Sequence, residues 1–299
     1  MNQSWKPSTV EDLMCYWLLT YANAYKAPSS VRRDEGMIRR QILPYFKAKL
    51  LSEIETRDVE LWLLELRDGT GLSEKSCNDV LGLFRKTLVD AIRWGFMSEN
   101  PVAKVRKFKL PEQKYQYWNV DQVKRYLLYF NNQKLKPRGY WHVLFALYTG
   151  MRRGELIALR WDRVDLNSNI VTVDRAYCRV LGTDKNYTKS GKIRYVPICS
   201  SLAKVLEVLK KSDSVEQKVL PALPVDMINI EFAKQCKQCG NPLIKFHDLR
   251  HTFASNFLAG GGKIYDLQKI LGHSTIQVTE RYVHMDPKEL RGKTEVLGF

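Results

Sequence analysis

Only two stretches of this chain alternate apolar and polar residues as a half-buried strand does, residues 170–180 and 192–198. They flank a turn-like segment from Gly182 to Gly191, so they read as a hairpin with Lys189 near its tip. Around them the apolar residues recur at helical spacing. The chain is therefore expected to be mostly α-helical with a small antiparallel β-sheet.

The first hundred residues read as a helical unit. Thr9 caps a helix over 9–26, which carries Leu13, Tyr16, Trp17, Thr20 and Tyr21 near one face. A second helix over 30–43 carries Arg32, Arg33, Arg39 and Arg40 and is expected to stop at Pro44. Thr56 and Ser73 cap two more. The boundaries expected are a helical domain over 1–105, a basic linker over 106–117, and a second domain over 118–299 with a C-terminal tail. The wider stretch 98–117 holds Pro101 and Pro111 and is rich in Lys and Arg (Lys104, Arg106, Lys107, Lys109, Lys114). It is either a solvated tether or a strap along a phosphate backbone. In the second domain Asn119 and Gln122 form a capping box, and helices are expected over 138–148, 200–211, 226–238, 248–258 and 265–271. Ser274 with Gln277 reads as a further capping box, opening a helix to about 284.

Charge narrows the class of partner. The net charge is +16, from 48 basic and 32 acidic residues. Such an excess favours a polyanion, because each neutralised phosphate releases counterions. No apolar run approaches the ~20 residues of a membrane span, and MNQSWKPSTVED lacks the apolar core of a signal peptide. A cytoplasmic, nucleoid-associated protein is expected, with no membrane partner. Cys236 and Cys239 form a CxxC, but no second CxxC exists to complete a structural zinc site, so no metal is expected.

Four of the five histidines lie within 247–284, together with Arg250 and Tyr282. Arg152 follows Thr149-Gly150, and His247 and Arg250 are three apart and share a helix face. Two arginines can fork onto one phosphate. A phenol needs a base or a strong field to attack phosphorus at neutral pH, and the departing oxygen needs an acid.

These segments resemble the tyrosine recombinases, the phage-integrase family. The matching pieces are TGMRRGEL at 149–156, TKSGK at 188–192 with Arg194, Val196 and Pro197, HDLRHT at 247–252, LGH at 271–273 and TERYVH at 279–284. The resemblance covers 119–284, and the helical 1–100 unit is similar to the family's core-binding domain. It implies an N-terminal helical core-binding domain plus an α+β catalytic domain. By the same resemblance Tyr282 is the nucleophile, forming a 3′-phosphotyrosyl bond. Arg152 and Arg250 clamp the scissile phosphate, Lys189 is the general acid with Lys192 as the alternative, and His247 is the general base. His273 donates to a non-bridging oxygen, and Glu155 is a buried supporting acid. His251 and His284 are expected to be structural.

The function so implied is a site-specific recombinase or integrase for a mobile element. It needs no metal, ATP or other cofactor, and acts as a tetramer on double-stranded DNA held in a two-domain clamp. Accessory DNA-bending or directionality proteins are possible partners. Contacts to DNA are expected from Arg32, Arg33, Arg39, Arg40, Lys104, Arg106, Lys107 and Lys109. The tail, 286–299, is expected to dock on the next protomer. The first helix begins near residue 9, so the further domain that arm-binding integrases carry ahead of it is expected to be missing, whether never present or removed. The competing readings are a type IB-like topoisomerase and a silent DNA-binding protein on the same fold.

Overall fold

Thr9 and Asp12 cap each other reciprocally, Thr9 through its hydroxyl and Asp12 through its carboxylate, and so fix the start of the first helix. The structure is a computed structural model that describes residues 5–111, 115–187, 191–212 and 217–283. It divides into two units, Met1–Gln113 and Lys114–Phe299.

In the first unit, Val10–Trp17 continues through a π-helical turn, Leu18–Ala22, to Tyr25. Pro28 is the first residue of the next helix, Pro28–Met37, where a missing N–H costs nothing. Pro44 does not stop this helix. A second π turn, Ile38–Ile42, intervenes, and the Leu43 N–H reaches back five residues to the Ile38 carbonyl. That shift accommodates the proline ring, and the helix runs on over Leu43–Phe46. Arg32, Arg33, Arg39 and Arg40 are exposed, while Asp34, Ile38 and Ile42 between them face inward.

The helix Thr56–Asp68 is capped by Glu55 rather than Thr56. Asp58 accepts the Glu55 N–H, and the Thr56 hydroxyl instead donates to the Pro101 carbonyl. Phe46, Trp62 and Phe84 meet in the core, with Phe46 and Trp62 edge-to-face at 5.3 Å. Much of the stretch expected as a linker is part of this unit. Val102 and Val105 are buried in its core, and Asn78 brackets Phe108, bonding both its N–H and its carbonyl at 2.9 Å. Lys104, Arg106, Lys107 and Lys109 thus stand exposed on a strap fixed to the helices.

In the second unit, β1 (Val164–Asp165), β2 (Ile170–Val173) and β5 (Arg194–Pro197) form an antiparallel sheet in the order β1-β2-β5. A separate hairpin pairs β3 (Ala176–Cys178) with β4 (Thr183–Lys185). The single strand expected over 170–180 is therefore two. Asp174 and Arg175 interrupt it, because Asp174 leaves the ladder to accept from Arg163 at 2.6 Å and Arg175 at 3.0 Å. The segment expected as a plain turn holds β4. In β5, Arg194 and Val196 point inward and Tyr195 outward.

Asn119 and Gln122 form the expected capping box at the head of Val120–Asn131. The helices Tyr140–Thr149, Arg153–Ile157, Ser200–Ser212, Val225–Cys239, Asp248–Ala259 and Ile264–Leu271 build the body of this unit. Trp118, Tyr126, Phe130, Tyr140 and Phe232 fill its core. Ser274 caps nothing: the last described helix is the four-residue Gln277–Glu280, which lacks a side-chain cap. The His273 ring and the Thr279 hydroxyl are hydrogen-bonded at 2.9 Å, closing 273–279 into a tight loop where a longer helix was expected. Lys189, His284 and the tail lie outside the described residues. No helix among the described residues is long and apolar enough to cross a membrane.

Candidate active site

The helix Tyr140–Thr149 ends on Gly150, whose φ of 62° turns the chain back. Two residues later Arg152 sits in extended conformation at the head of Arg153–Ile157. Glu155 accepts the Arg152 N–H at 2.7 Å and its guanidinium at 3.0 Å, so backbone and side chain are held by one carboxylate. Arg194 closes on the same carboxylate through two bonds, at 2.9 and 2.6 Å, and its Nε donates to the Ile270 carbonyl at 2.8 Å. Burial pushes the Glu155 carboxyl up, but the hydrogen bond and charge of Arg194, with the charge of Arg152, outweigh it and hold it at about 2.

Arg250 is the third residue of Asp248–Ala259 and is almost fully buried. It donates to the Gly150 carbonyl at 2.8 Å and the Leu271 carbonyl at 2.6 Å, joining the two turns that precede Arg152 and His273. Burial, then the neighbouring Arg152, lowers it to about 9. His247 occupies the N-cap of this helix. His273 stands beyond Gly272, its Nδ1 2.9 Å from the Thr279 hydroxyl. Burial and then the cations Arg250, Arg152, Arg281 and Arg194 lower it to about 3.

Tyr282 is 5% exposed and its ring lies parallel to that of His273, centroids 6.2 Å apart. Its hydroxyl is 2.8 Å from Nδ1 of His251. Tyr115 packs on His251 at 4.7 Å and accepts from Arg281 at 3.0 Å. Burial raises the Tyr282 phenol against the pull of Arg250 and Arg281.

These side chains open on one cleft of about 1030 Å³, lined by Arg152, Lys192, Arg194, His247, Arg250, His251, Lys269, His273, Arg281 and Tyr282 among others. Among the described residues its lining holds six Lys or Arg and no Asp or Glu. Such a surface attracts an anion, and fixed cations there stabilise charge that develops on it.

The structure thus gathers Arg152, Glu155, His247, Arg250, His273 and Tyr282, residues scattered over 131 positions of sequence. Lys192, the alternative to Lys189, lines the cleft. Two residues were missed. His251 was set aside as structural, yet it touches the Tyr282 hydroxyl. Arg194 was given no role, although an arginine in step with the inward Val196 of a strand is a signal to look for a buried carboxylate. Among the described residues no group of three or more His, Cys, Asp or Glu is placed to hold a metal ion.

Residues 116–289 match the Phage integrase family, and residues 9–67 match the Phage integrase, N-terminal SAM-like domain. The chain is 30% identical over 230 residues to a tyrosine recombinase XerC of Xanthomonas campestris pv. campestris, covering 74% of this chain and 67% of that one. It is 24% identical to the ICEBs1 integrase of Bacillus subtilis (strain 168), over 90% of this chain and 78% of that one. Among solved structures it is similar to the Tn1549 transposon integrase in complex with transposon right end DNA. The TM-score is 0.81 at 19% identity, over 97% of this chain and 100% of that one.

Proposed function

The chain belongs to the phage integrase family, and from that premise we propose that it is a site-specific recombinase that breaks and rejoins duplex DNA through a 3′-phosphotyrosyl bond to Tyr282. The observation that carries this reading is that Tyr282, Arg152 and Arg250 open on one cleft whose lining, among the described residues, bears no carboxylate. A phosphodiester entering it finds two guanidinium groups for its non-bridging oxygens and a phenol for its phosphorus.

Tyr282 attacks the phosphorus, the bond to the 5′ oxygen breaks, and a 5′-hydroxyl leaves. Lys189 protonates that oxygen, with Lys192 of the cleft lining as the alternative. His273 Nδ1 is engaged by the Thr279 hydroxyl at 2.9 Å; in the tautomer in which Nδ1 accepts, the Nε2–H donates to a non-bridging oxygen. Removal of the tyrosine proton falls to the histidines at the start of the Asp248–Ala259 helix, His247 by the family resemblance. One phosphodiester is exchanged for another, so the bond energy is kept in the covalent intermediate and the chemistry consumes no nucleotide.

The exposed arginines at 32, 33, 39 and 40 and the strap residues Lys104, Arg106, Lys107 and Lys109 contact DNA phosphates. A tetramer exchanging strands pairwise, for the integration or excision of a mobile element, is the setting, in line with the chain's likeness to integrases of such elements.

The test is trapping. The full chain is mixed with nicked duplexes tiled from the DNA flanking its own gene and denatured with detergent. A DNA-linked band, absent in Tyr282→Phe, is expected and locates the crossover site. A band that survives in Tyr282→Phe places the nucleophile elsewhere.

A further inference from the structure

Attack by Tyr282 requires an acceptor for its proton within hydrogen-bond reach of the phenol. His251 Nδ1 is at 2.8 Å from that hydroxyl. The pair is largely buried at the wall of the cleft, with His251 8% and Tyr282 5% exposed. Tyr115 covers the imidazole at 4.7 Å, and the His247 ring stands edge-on to it at 5.6 Å. The contact joins the second turn of the Asp248–Ala259 helix to the segment after Gln277–Glu280. It therefore sets the direction of the phenol as well as its proton.

We propose that His251, in place of the His247 that the family resemblance implies, is the proton acceptor for Tyr282, and that it becomes competent when the scissile phosphate is seated between Arg152 and Arg250. This rests on Tyr282 being the nucleophile. Among the described residues, the charged and titratable groups facing His251 are His247 at the N-cap of its helix, Arg250 on that helix, Tyr115, and Arg281 and Tyr282 of the C-terminal segment. Without DNA, burial and then His247, Arg281 and Arg250 lower the imidazole to about 4, while burial keeps the phenol above its ordinary range. The proton stays on the tyrosine, which is then a poor nucleophile. A phosphate brings negative charge into a cleft whose charged lining, among the described residues, is Lys and Arg, and favours the imidazolium; the extra charge of the transition state favours it further.

The step balances. The Oη–H bond breaks and its proton goes to Nδ1, with the other ring hydrogen on Nε2. The oxygen's electron pair forms the bond to phosphorus. The bond to the 5′ oxygen breaks, and that oxygen takes a proton from the lysine assigned above. Religation reverses each transfer, and His251 returns the proton to Tyr282.

The experiment is single-turnover cleavage by the full chain of the nicked duplex found by trapping. It is made once with an ordinary 5′ oxygen and once with a 5′-bridging sulfur, a leaving group that needs no acid. The variants are His251→Ala, His251→Asn, Lys189→Ala and Tyr282→Phe. Both His251 variants are expected to bind DNA as the native chain does and to cleave about 10²-fold more slowly at pH 7. Their rates should climb with pH, about tenfold per unit, as hydroxide replaces the base, where the native rate is level. Sulfur should rescue Lys189→Ala and leave the His251 variants slow. Cleavage by His251→Asn at the native rate overturns the proposal, as does a defect that ignores pH or is rescued by sulfur. Loss of DNA binding in both variants marks a structural residue and overturns it too. An adduct persisting in Tyr282→Phe means that the nucleophile assignment has failed; an adduct lost there while His251→Asn cleaves normally means that only the role of His251 has.

Discussion

Arg194 and Glu155 face each other through two parallel hydrogen bonds at 2.9 and 2.6 Å, with side chains only 6% and 1% exposed. The same carboxylate holds Arg152, so the proposed phosphate clamp is anchored to β5 through one buried acid. Arg194→Met should leave that acid without its main partner and destabilise the fold by about 3–5 kcal/mol. It should also slow cleavage, because Arg152 loses its anchor. Urea unfolding of the full chain reads the first effect and adduct formation the second. The acid limb has a definite sign. The folded carboxyl titrates at about 2, below its ordinary 4.5, so the contribution is complete above about pH 4.5 and is lost as pH falls towards 2. Glu155→Gln should flatten that limb. An unchanged limb would show that the carboxylate is not the charge being held.

Gly272 is coupled to the same pair. Its φ is 67°, and a Cβ there would stand 2.7 Å from Cδ of Arg194. Gly272→Ala should cost about 1–2 kcal/mol for the backbone alone and should also displace Arg194. Gly261, with φ 87° and open space around its missing Cβ, is the control. Gly261→Ala is expected to lower Tm with cleavage intact, Gly272→Ala to lower both. Equal cleavage by the two variants would separate Gly272 from the Arg194 anchor.

What could be read from sequence follows from the range of the forces involved. The cap at Thr9 and the box at Asn119 were legible because capping is settled within four residues. The same pattern at Ser274 and Gln277 failed because His273 and Thr279 bond to each other and close the loop first. Pro44 misled because the carbonyl shift that admits it comes from a π turn, which no local pattern announced. Asp174 carries no mark in sequence of the arginines it leaves its strand to meet. The site segments were legible as motifs, but the contact of His251 with Tyr282 spans 31 residues and exists only in the folded chain.

Arg250 separates structure from chemistry less cleanly than its expected role suggests. It satisfies the Gly150 and Leu271 carbonyls as well as facing the cleft. Arg250→Ala should leave both without that donor, at on the order of 1–3 kcal/mol each, and should lower Tm as well as abolish cleavage. Arg250→Lys keeps a cation that can reach one carbonyl but not fork across two. It is expected to melt between the native chain and Arg250→Ala and still not cleave. If Arg250→Ala melted with the native chain, the two carbonyl bonds would be shown to add nothing to stability.

His142 gives the second unit an acid sensitivity unrelated to the cleft. It is 3% exposed and its Nδ1 has no hydrogen-bond partner among the described residues. It borders a separate cavity with Ile157, Leu220 and Pro224. Burial lowers it to about 4 from an ordinary 6.5. The folded chain therefore holds it neutral while the unfolded chain binds a proton. Stability is complete above about pH 6.5 and is lost as pH falls towards 4, by about 2 kcal/mol between pH 7 and 5. His142→Leu should remove that loss and leave DNA cleavage unchanged. The check is the urea midpoint of native and variant chains at both pH values. The gap should move in the variant's favour at pH 5, and parallel shifts in the two chains would mean that His142 is not held neutral by burial.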